Sequence, residues 1–461
     1  MTYKILDFFQ SNKILNQIVA FLLPLDHNDV ANSRKIQVVI TISQKYDRAK
    51  HASVDGFQKV ILPESPNLLL YLQGGPGFGC PVPTSYSGMT KVLLDEGYQI
   101  VWMDQRGTGA SSPIDYKTLT ENLSPSSSVN DQLKTILHFR ADSIVKDAEA
   151  IRKELIGDDA KWSSLGQSFG GFCSFTYLSL YPQSLKHVFI TGGVPPIGFD
   201  VDSVYKQTYK RTKERNVHYY SKYPQDVARV VEICKYLKSN EVTLPDGGRL
   251  SVERFQQLGL SFGGFGGTDG VHNIVTTFWQ DLDTFGYPTV YTLTLVQNAM
   301  PFDTNVIYAL FQEAIYCSGK AKSNWSADRL RYAPGNEKFQ FNEKEIYFTG
   351  EMVFKSMYED YAQLRQFKPL AYALHENDSW SILYDTEKLR KITWKDVPIV
   401  ATTYYADQYV DFELTREVKQ QYLPSCNLRQ YITNDLFHNG LHIDPERVLG
   451  SMFKLIDNDF D

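Results

Sequence analysis

The sequence predicts an α/β protein whose mostly parallel central sheet is interrupted by one large helical insertion. Short, continuously apolar runs alternate with a helical pattern between about residues 65 and 200. A glycine-flanked serine sits at one of the strand-to-helix junctions, and strand-like runs resume only near residue 397. Strands alternating with helices are the sequence form of parallel βαβ units, and a gap in that rhythm marks an insertion.

The elements follow in chain order. Residues 18–25 and 36–43 are β-rich runs separated by a polar turn at 27–32, which reads as an antiparallel start. Leu68–Leu72 is apolar at every position, as expected of a strand buried on both faces, and 98–103 is a second such run. Ile144, Val145, Ala148, Ile151 and Leu155 recur on one face of a helix over 141–156. A strand at 161–165, a helix at 172–180 and a strand at 188–191 follow. Residues 200–390 read as mostly helical and rich in Tyr and Phe. Strands return at 397–403 and 428–433, and a helix over 445–456 closes the chain. The expected organisation is therefore a core built from 1–199 and 391–461, with 200–390 as a helical cap.

Composition narrows the function. The 461 residues are 43% hydrophobic and 22% charged, ordinary values for a globular chain with a sizeable core. A net charge of -6 without a clustered basic face argues against nucleic acid as a partner. The cysteines at 80, 173, 234, 317 and 426 show neither metal-ligand spacing nor a disulfide framework, so no metal is expected. The apolar stretch at 18–25 is too short to span a bilayer and lacks the features of a signal peptide, so a cytoplasmic protein without membrane attachment is expected. On that expectation the sequons at Asn122, Asn324 and Asn377 are chance matches.

Gly166-Gln167-Ser168-Phe169-Gly170 matches G-x-S-x-G, with Gly171 extending it. The pattern describes a nucleophile elbow, in which a serine on a strained turn between strand and helix exposes its hydroxyl above the sheet. Taken alone it also fits a surface serine in a glycine-rich turn; the strand before it and the helix after it favour the elbow. A serine hydroxyl needs a base, and the base needs a carboxylate to orient it. In the α/β-hydrolase fold these follow in the order Ser, acid, His. His438, just past the 428–433 strand, is the candidate base, with His442 read as a surface residue. Asp407, just past the 397–403 strand, is the candidate acid; Asp411 is the competitor and would otherwise cap the helix that follows.

An acyl-transfer intermediate also requires N–H donors for its oxyanion. The residue after the nucleophile, Phe169, supplies one. Gln73-Gly74-Gly75-Pro76-Gly77, after the Leu68–Leu72 strand, supplies the other at Gly74, or at Gly75. Asp104 and Arg106 in Asp104-Gln105-Arg106-Gly107-Thr108-Gly109 read as loop-stabilising residues. Gly263-Gly264-Phe265-Gly266-Gly267 lacks the spacing, strand and Lys-Ser/Thr of a phosphate loop, and reads as a connection within the cap.

Together, Gly74–Gly77, Asp104 to Ser111, Gly166 to Gly171 and His438-Asn439-Gly440 resemble the proline iminopeptidases, in particular their longer members with a large helical cap. The resemblance runs from about residue 35 to the C-terminus. It implies a serine peptidase of the α/β-hydrolase fold that releases N-terminal proline from small peptides without a cofactor. Gln73 stands where many shorter members have His, a departure expected to leave the oxyanion hole intact because the donor is backbone. The activity requires a group for the free α-amine, and acids of the cap are the candidates. Glu313 lies on the apolar face of a helix expected over 305–317, and Glu351 is a second candidate; either would otherwise form an internal salt bridge. The competing functions are a general esterase or amidase with the same triad, and a binding protein on a hydrolase scaffold, which the complete Ser, Asp and His set disfavours. The oligomeric state is not legible in the sequence.

Overall fold

The computed structural model describes residues 3–51, 55–423 and 427–458; Cys426 lies outside them, and the other four cysteines are free. Nine strands among the described residues form one sheet. They are β1 (Tyr3–Ser11), β2 (Ile14–Pro24), β3 (Lys35–Lys45), β4 (Leu68–Leu72), β5 (Gln99–Met103), β6 (Trp162–Gln167), β7 (Leu185–Thr191), β8 (Ile399–Tyr404) and β9 (Leu428–Thr433), in spatial order β1-β2-β3-β5-β4-β6-β7-β8-β9. The first three strands pair antiparallel and join β5 antiparallel; all pairs from β5 to β9 are parallel.

The side-chain alternation of β4 shows why its residues are apolar throughout. Leu68, Leu70 and Leu72 face the cluster that contains Ile144, Ile151, Phe172 and Leu178, from the helices Ala141–Ile156 and Phe169–Leu180. Leu69 and Tyr71 face Leu93, Leu94, Leu449 and Met452, from the helices Gly88–Asp95 and Pro445–Asp457. Each fully buried side chain of this kind contributes roughly 1.5–3 kcal/mol. β1 was not predicted because only Ile5 in it is buried; pairing with β2, not burial, defines that strand. β8 begins at Ile399, two residues later than predicted, because Pro398 has no N–H for the ladder.

Between β7 and β8 the described residues hold no strand, only an isolated bridge between Thr243 and Arg249. The longer helices there are Val201–Lys222, Asp226–Ser239, Gly267–Phe285, Val290–Asn298 and Lys368–Glu376. The single helix expected over 305–317 is instead Val306–Phe311 followed by a 3-10 turn, Ala314–Tyr316. The Tyr316 and Cys317 N–H groups donate three residues back, to Glu313 and Ala314, which tightens the chain there. Ion pairing and capping tie this layer to the sheet: Arg211 Nε donates to Asp411 Oδ2 at 2.8 Å, and Arg140 donates to the carbonyls of Ala314 and Cys317. Among the described residues no helix is long and apolar enough to cross a membrane.

The loop after β5 is held by a buried charge network. Arg106 donates from Nε to Asp147 Oδ2 at 2.7 Å and from Nη2 to Oδ1 at 2.6 Å. It also donates to the carbonyls of Pro24, Leu25 and His138, so the guanidinium is saturated inside the protein. Asp104 accepts from the N–H groups of Ala110 in the same loop and of Cys80 in the segment after β4, tying the two together. Both residues therefore fix the loop, as the sequence suggested. Removing one partner of a buried pair strands the other charge and costs about 3–5 kcal/mol. Asp147→Ala should lower the urea-unfolding free energy by that amount, read from the midpoint at unchanged slope.

Candidate active site

Ser168 sits between β6 and the helix Phe169–Leu180 with φ 55° and ψ -124°. A non-glycine residue held in a sparsely populated region of this kind carries about 1–3 kcal/mol of strain, which the surroundings must over-determine. They do so by close backbone packing. The Ser168 N–H donates to Thr191 at 2.9 Å, and its carbonyl accepts from Gly171 N–H at 2.8 Å. A Cβ at Gly166 would run into the Gly170 backbone, one at Gly170 into the Leu72 carbonyl, and one at Gly171 into Gly193. The glycines of the motif are thus required by contact distance.

The structure brings the other two predicted residues to the same edge of the sheet. Asp407 follows β8 and His438 follows β9, and His438 Nδ1 lies 2.8 Å from Asp407 Oδ2. Both residues are buried. The second carboxylate oxygen of Asp407 accepts from the N–H groups of Tyr409 at 2.8 Å and Val410 at 3.1 Å, so its orientation is fixed. Burial acts to lower the His438 pKa, but the charge and hydrogen bond of Asp407, with the charge of Glu351, outweigh it and raise the net value. The imidazole packs against Gly192, where a Cβ would stand 3.0 Å from Nδ1, while Gly193 packs against the Ser168 carbonyl. This glycine pair after β7 joins the histidine to the nucleophile; the sequence showed it as two consecutive glycines at a strand end, a signal left unread. Asp411 is committed elsewhere, capping the helix Phe412–Tyr422 and pairing with Arg211. His442 is exposed.

The candidate oxyanion donors divide. Phe169 opens its helix, and among the described residues nothing accepts its N–H. Gly74 lies against the nucleophile, where a Cβ would stand 2.8 Å from Ser168 Cβ, but its N–H donates to Gln73 Oε1 at 2.9 Å. Gln73 is therefore not neutral to this loop, contrary to the sequence expectation: its side chain takes the N–H assigned to the hole. Nothing among the described residues accepts from Gly75.

The two acids of the inserted layer also part company. Glu313 is buried and fully engaged: Oε2 accepts from Ser326 N–H at 2.9 Å and lies 3.1 Å from His375 Nδ1, and Oε1 accepts from Ala327 N–H at 2.9 Å. These partners match the internal pairing given above as the alternative to an amine site. Glu351 remains partly accessible and takes one hydrogen bond from a tyrosine, Tyr308 Oη to Oε1 at 2.6 Å. Burial raises its pKa to about 7, against the Tyr308 hydrogen bond, the His438 charge and a Gln312 hydrogen bond, while Asp407 adds to the rise. The charges of Asp407 and His438 thus both act on Glu351. Gly350 permits the approach, since a Cβ there would stand 2.7 Å from the amide nitrogen of Gln408, the neighbour of Asp407.

A family model described as the α/β hydrolase fold matches residues 67–236. A proline iminopeptidase of Aspergillus aculeatus is 40% identical over 405 residues, 87% of this chain and 87% of that protein. A proline iminopeptidase of Aeromonas sobria is 38% identical over 442 residues, covering 94% and 95%. The chain belongs to the proline iminopeptidase family.

As a proline iminopeptidase of the α/β-hydrolase fold, it sets a strained serine, a carboxylate-bound imidazole and an acid with a raised pKa into one region. Sequence reasoning missed Tyr308 and Gln312. Both lie on the apolar stretch that drew attention to Glu313, and they serve Glu351 instead. The Tyr308 bond favours ionised Glu351, so its loss must raise the carboxyl pKa further. In Tyr308→Phe the carboxylate infrared band of Glu351, identified by its absence in Glu351→Gln, should appear at higher pH than in the wild type.

Proposed function

We propose that the protein is a serine aminopeptidase that releases proline from the N-terminus of small peptides through an acyl-enzyme, with Ser168, His438 and Asp407 as its triad. The observation that carries this reading is the Glu351 carboxylate beside Asp407 and His438, because a partly accessible acid there provides a counter-ion for the ammonium of an N-terminal residue. Family membership supplies the reaction class, and the geometry supports the proposed roles.

In the first step Ser168 Oγ attacks the carbonyl of the N-terminal residue, and His438 Nε2 takes the hydroxyl proton. Asp407, bonded to Nδ1, holds the ring in the tautomer that leaves Nε2 free to accept. The oxyanion is held by the Phe169 N–H and the Gly75 N–H, Gly74 being taken by Gln73. Collapse breaks the C–N bond, and His438 returns the proton to the departing amine. Water then repeats the sequence on the acyl-serine and frees proline. Glu351 holds the prolyl ammonium throughout, which limits attack to the first residue. None of these steps calls on a cofactor.

The same reading divides the chain into core parts 1–199 and 391–461 around a cap at 200–390, supported by the absence of strands between β7 and β8 among the described residues. Scattered, free cysteines at 80, 173, 234 and 317 support a cytoplasmic setting.

The test compares a proline amide reporter having a free amine with its N-acetyl form and an alanine analogue. The free proline compound should be turned over fastest, and the acetylated one hardly at all. Equal turnover of the acetylated compound would leave a general esterase or amidase. Glu351→Gln should lose about 10–100-fold in kcat/KM on the free amine, the worth of a hydrogen bond to a charged group. The sign of the pH effect follows from the raised pKa: below about 7 Glu351 carries a proton and cannot pair with an ammonium. KM for the free amine should therefore rise as pH falls through that region, and this limb should vanish in Glu351→Gln.

A further inference from the structure

The glycine-rich segment 263–267, read from the sequence as a connection within the cap, bonds to the loop that carries His438. The 3-10 helix Gln257–Gly263 leads into it, and the helix Gly267–Phe285 follows. Four bonds join residues 260–265 to their surroundings at this point. Tyr409 Oη donates to the Leu260 carbonyl. Arg215 Nε donates to the Phe262 carbonyl at 3.0 Å, and its guanidinium stacks 4.5 Å over the Phe437 ring. The His438 backbone N–H donates to the Gly263 carbonyl at 3.1 Å. The Phe265 N–H donates to Asn439 Oδ1 at 2.9 Å.

Three features make this more than incidental packing. The partners on the triad side are Tyr409, two residues after Asp407, and the consecutive residues Phe437, His438 and Asn439. The Tyr409 ring meets the His438 imidazole edge-on at 4.6 Å, and a Cβ at Gly263 would collide with that ring. Asn439 occupies the N-cap position of the helix Gly440–Ile443 but makes no capping bond there. An asparagine at such a position ordinarily satisfies its own helix; this one reaches across to the inserted layer.

We infer that residues 260–265 of the inserted layer form a clamp that sets the position of His438, with Asn439 and Arg215 as positioning residues. The inference rests on the triad reading given above. The sheet places His438 after β9, and the clamp fixes the backbone N–H of His438, the Tyr409 ring against its imidazole and the side chains of its neighbours Phe437 and Asn439. Displacement of 260–265 would turn the imidazole about its Asp407 bond and so shift it relative to Ser168, while the Tyr308–Glu351 bond stays in place. Its signature is a loss in kcat with KM retained, since only the step that uses His438 is affected.

The experiment uses the full chain and the free proline amide reporter. Asn439→Ala removes the acceptor for Phe265, and Asn439→Asp restores an acceptor oxygen. Asn439→Ala should lower kcat by about tenfold or more, the scale of loss from a small misplacement of a catalytic group. KM should stay near the wild-type value, and amide hydrogen exchange should quicken in the peptide spanning 436–440. Asn439→Asp should recover most of kcat and of the exchange protection. Wild-type kcat in Asn439→Ala, or a fall in kcat with unchanged exchange at 436–440, would overturn the clamp. Should Asn439→Ala not fold, Arg215→Met, which loses the Phe262 bond and the stacking on Phe437, is judged by the same criteria. Ser168→Ala in the same assay separates the two levels: residual turnover there refutes the triad, whereas an inactive Ser168→Ala beside a fully active Asn439→Ala refutes the clamp alone.

Discussion

The φ of 55° at Ser168 is the constraint on which the rest of this site depends. A serine can stay in that conformation only where the chain on every side is too close to let it relax. Here the closeness comes from Gly166, Gly170 and Gly171 of the elbow, and from Gly193 after the neighbouring strand. The parallel sheet supplies the frame: β6 delivers the serine, β7 accepts its N–H through Thr191, and β8 and β9 bring Asp407 and His438 to the same edge. Fully apolar strands such as β4 make the frame stiff by packing helices on both faces.

The second half of the site comes from the long stretch between β7 and β8. Val306–Phe311 carries Tyr308, whose hydroxyl holds Glu351, and Glu313 anchors the end of that stretch on Ser326, Ala327 and His375. Glu313 thus organises the layer from inside, whereas Glu351 keeps access. A carboxyl raised to about 7 sits between states near neutral pH, so a cationic partner shifts it strongly toward the anion. Under the proposed roles, amine binding at Glu351 is electrostatically linked to Asp407 and His438.

Much of this was legible in the sequence where local pattern and chemistry coincide. Leu68–Leu72 has the bounds read from apolarity, Leu428–Thr433 those read from the resumed β pattern, and Ala141–Ile156 those read from helical spacing. The elbow was visible because strand, glycines and serine are contiguous. What escaped depends on contacts across long separations. β1 has almost no buried side chain to announce it. Glu313 and Glu351 looked alike because the partners that distinguish them, Ser326, Ala327 and Tyr308, are chosen by tertiary packing. The Gln73 side chain was discounted because sequence cannot show it turning onto the next residue's N–H. Gly263, set aside as a connection, is a glycine because the Tyr409 ring leaves no room for a Cβ.

The central claim is that proline is transferred to Ser168 before water releases it. Acid-quenching the enzyme during turnover of a proline ester and mapping the digest by mass spectrometry tests this most directly. The account predicts a mass increase of one prolyl residue on the peptide containing Ser168, absent when the ester is N-acetylated. A prolyl adduct on another residue, or an equal adduct from the acetylated ester, would contradict it.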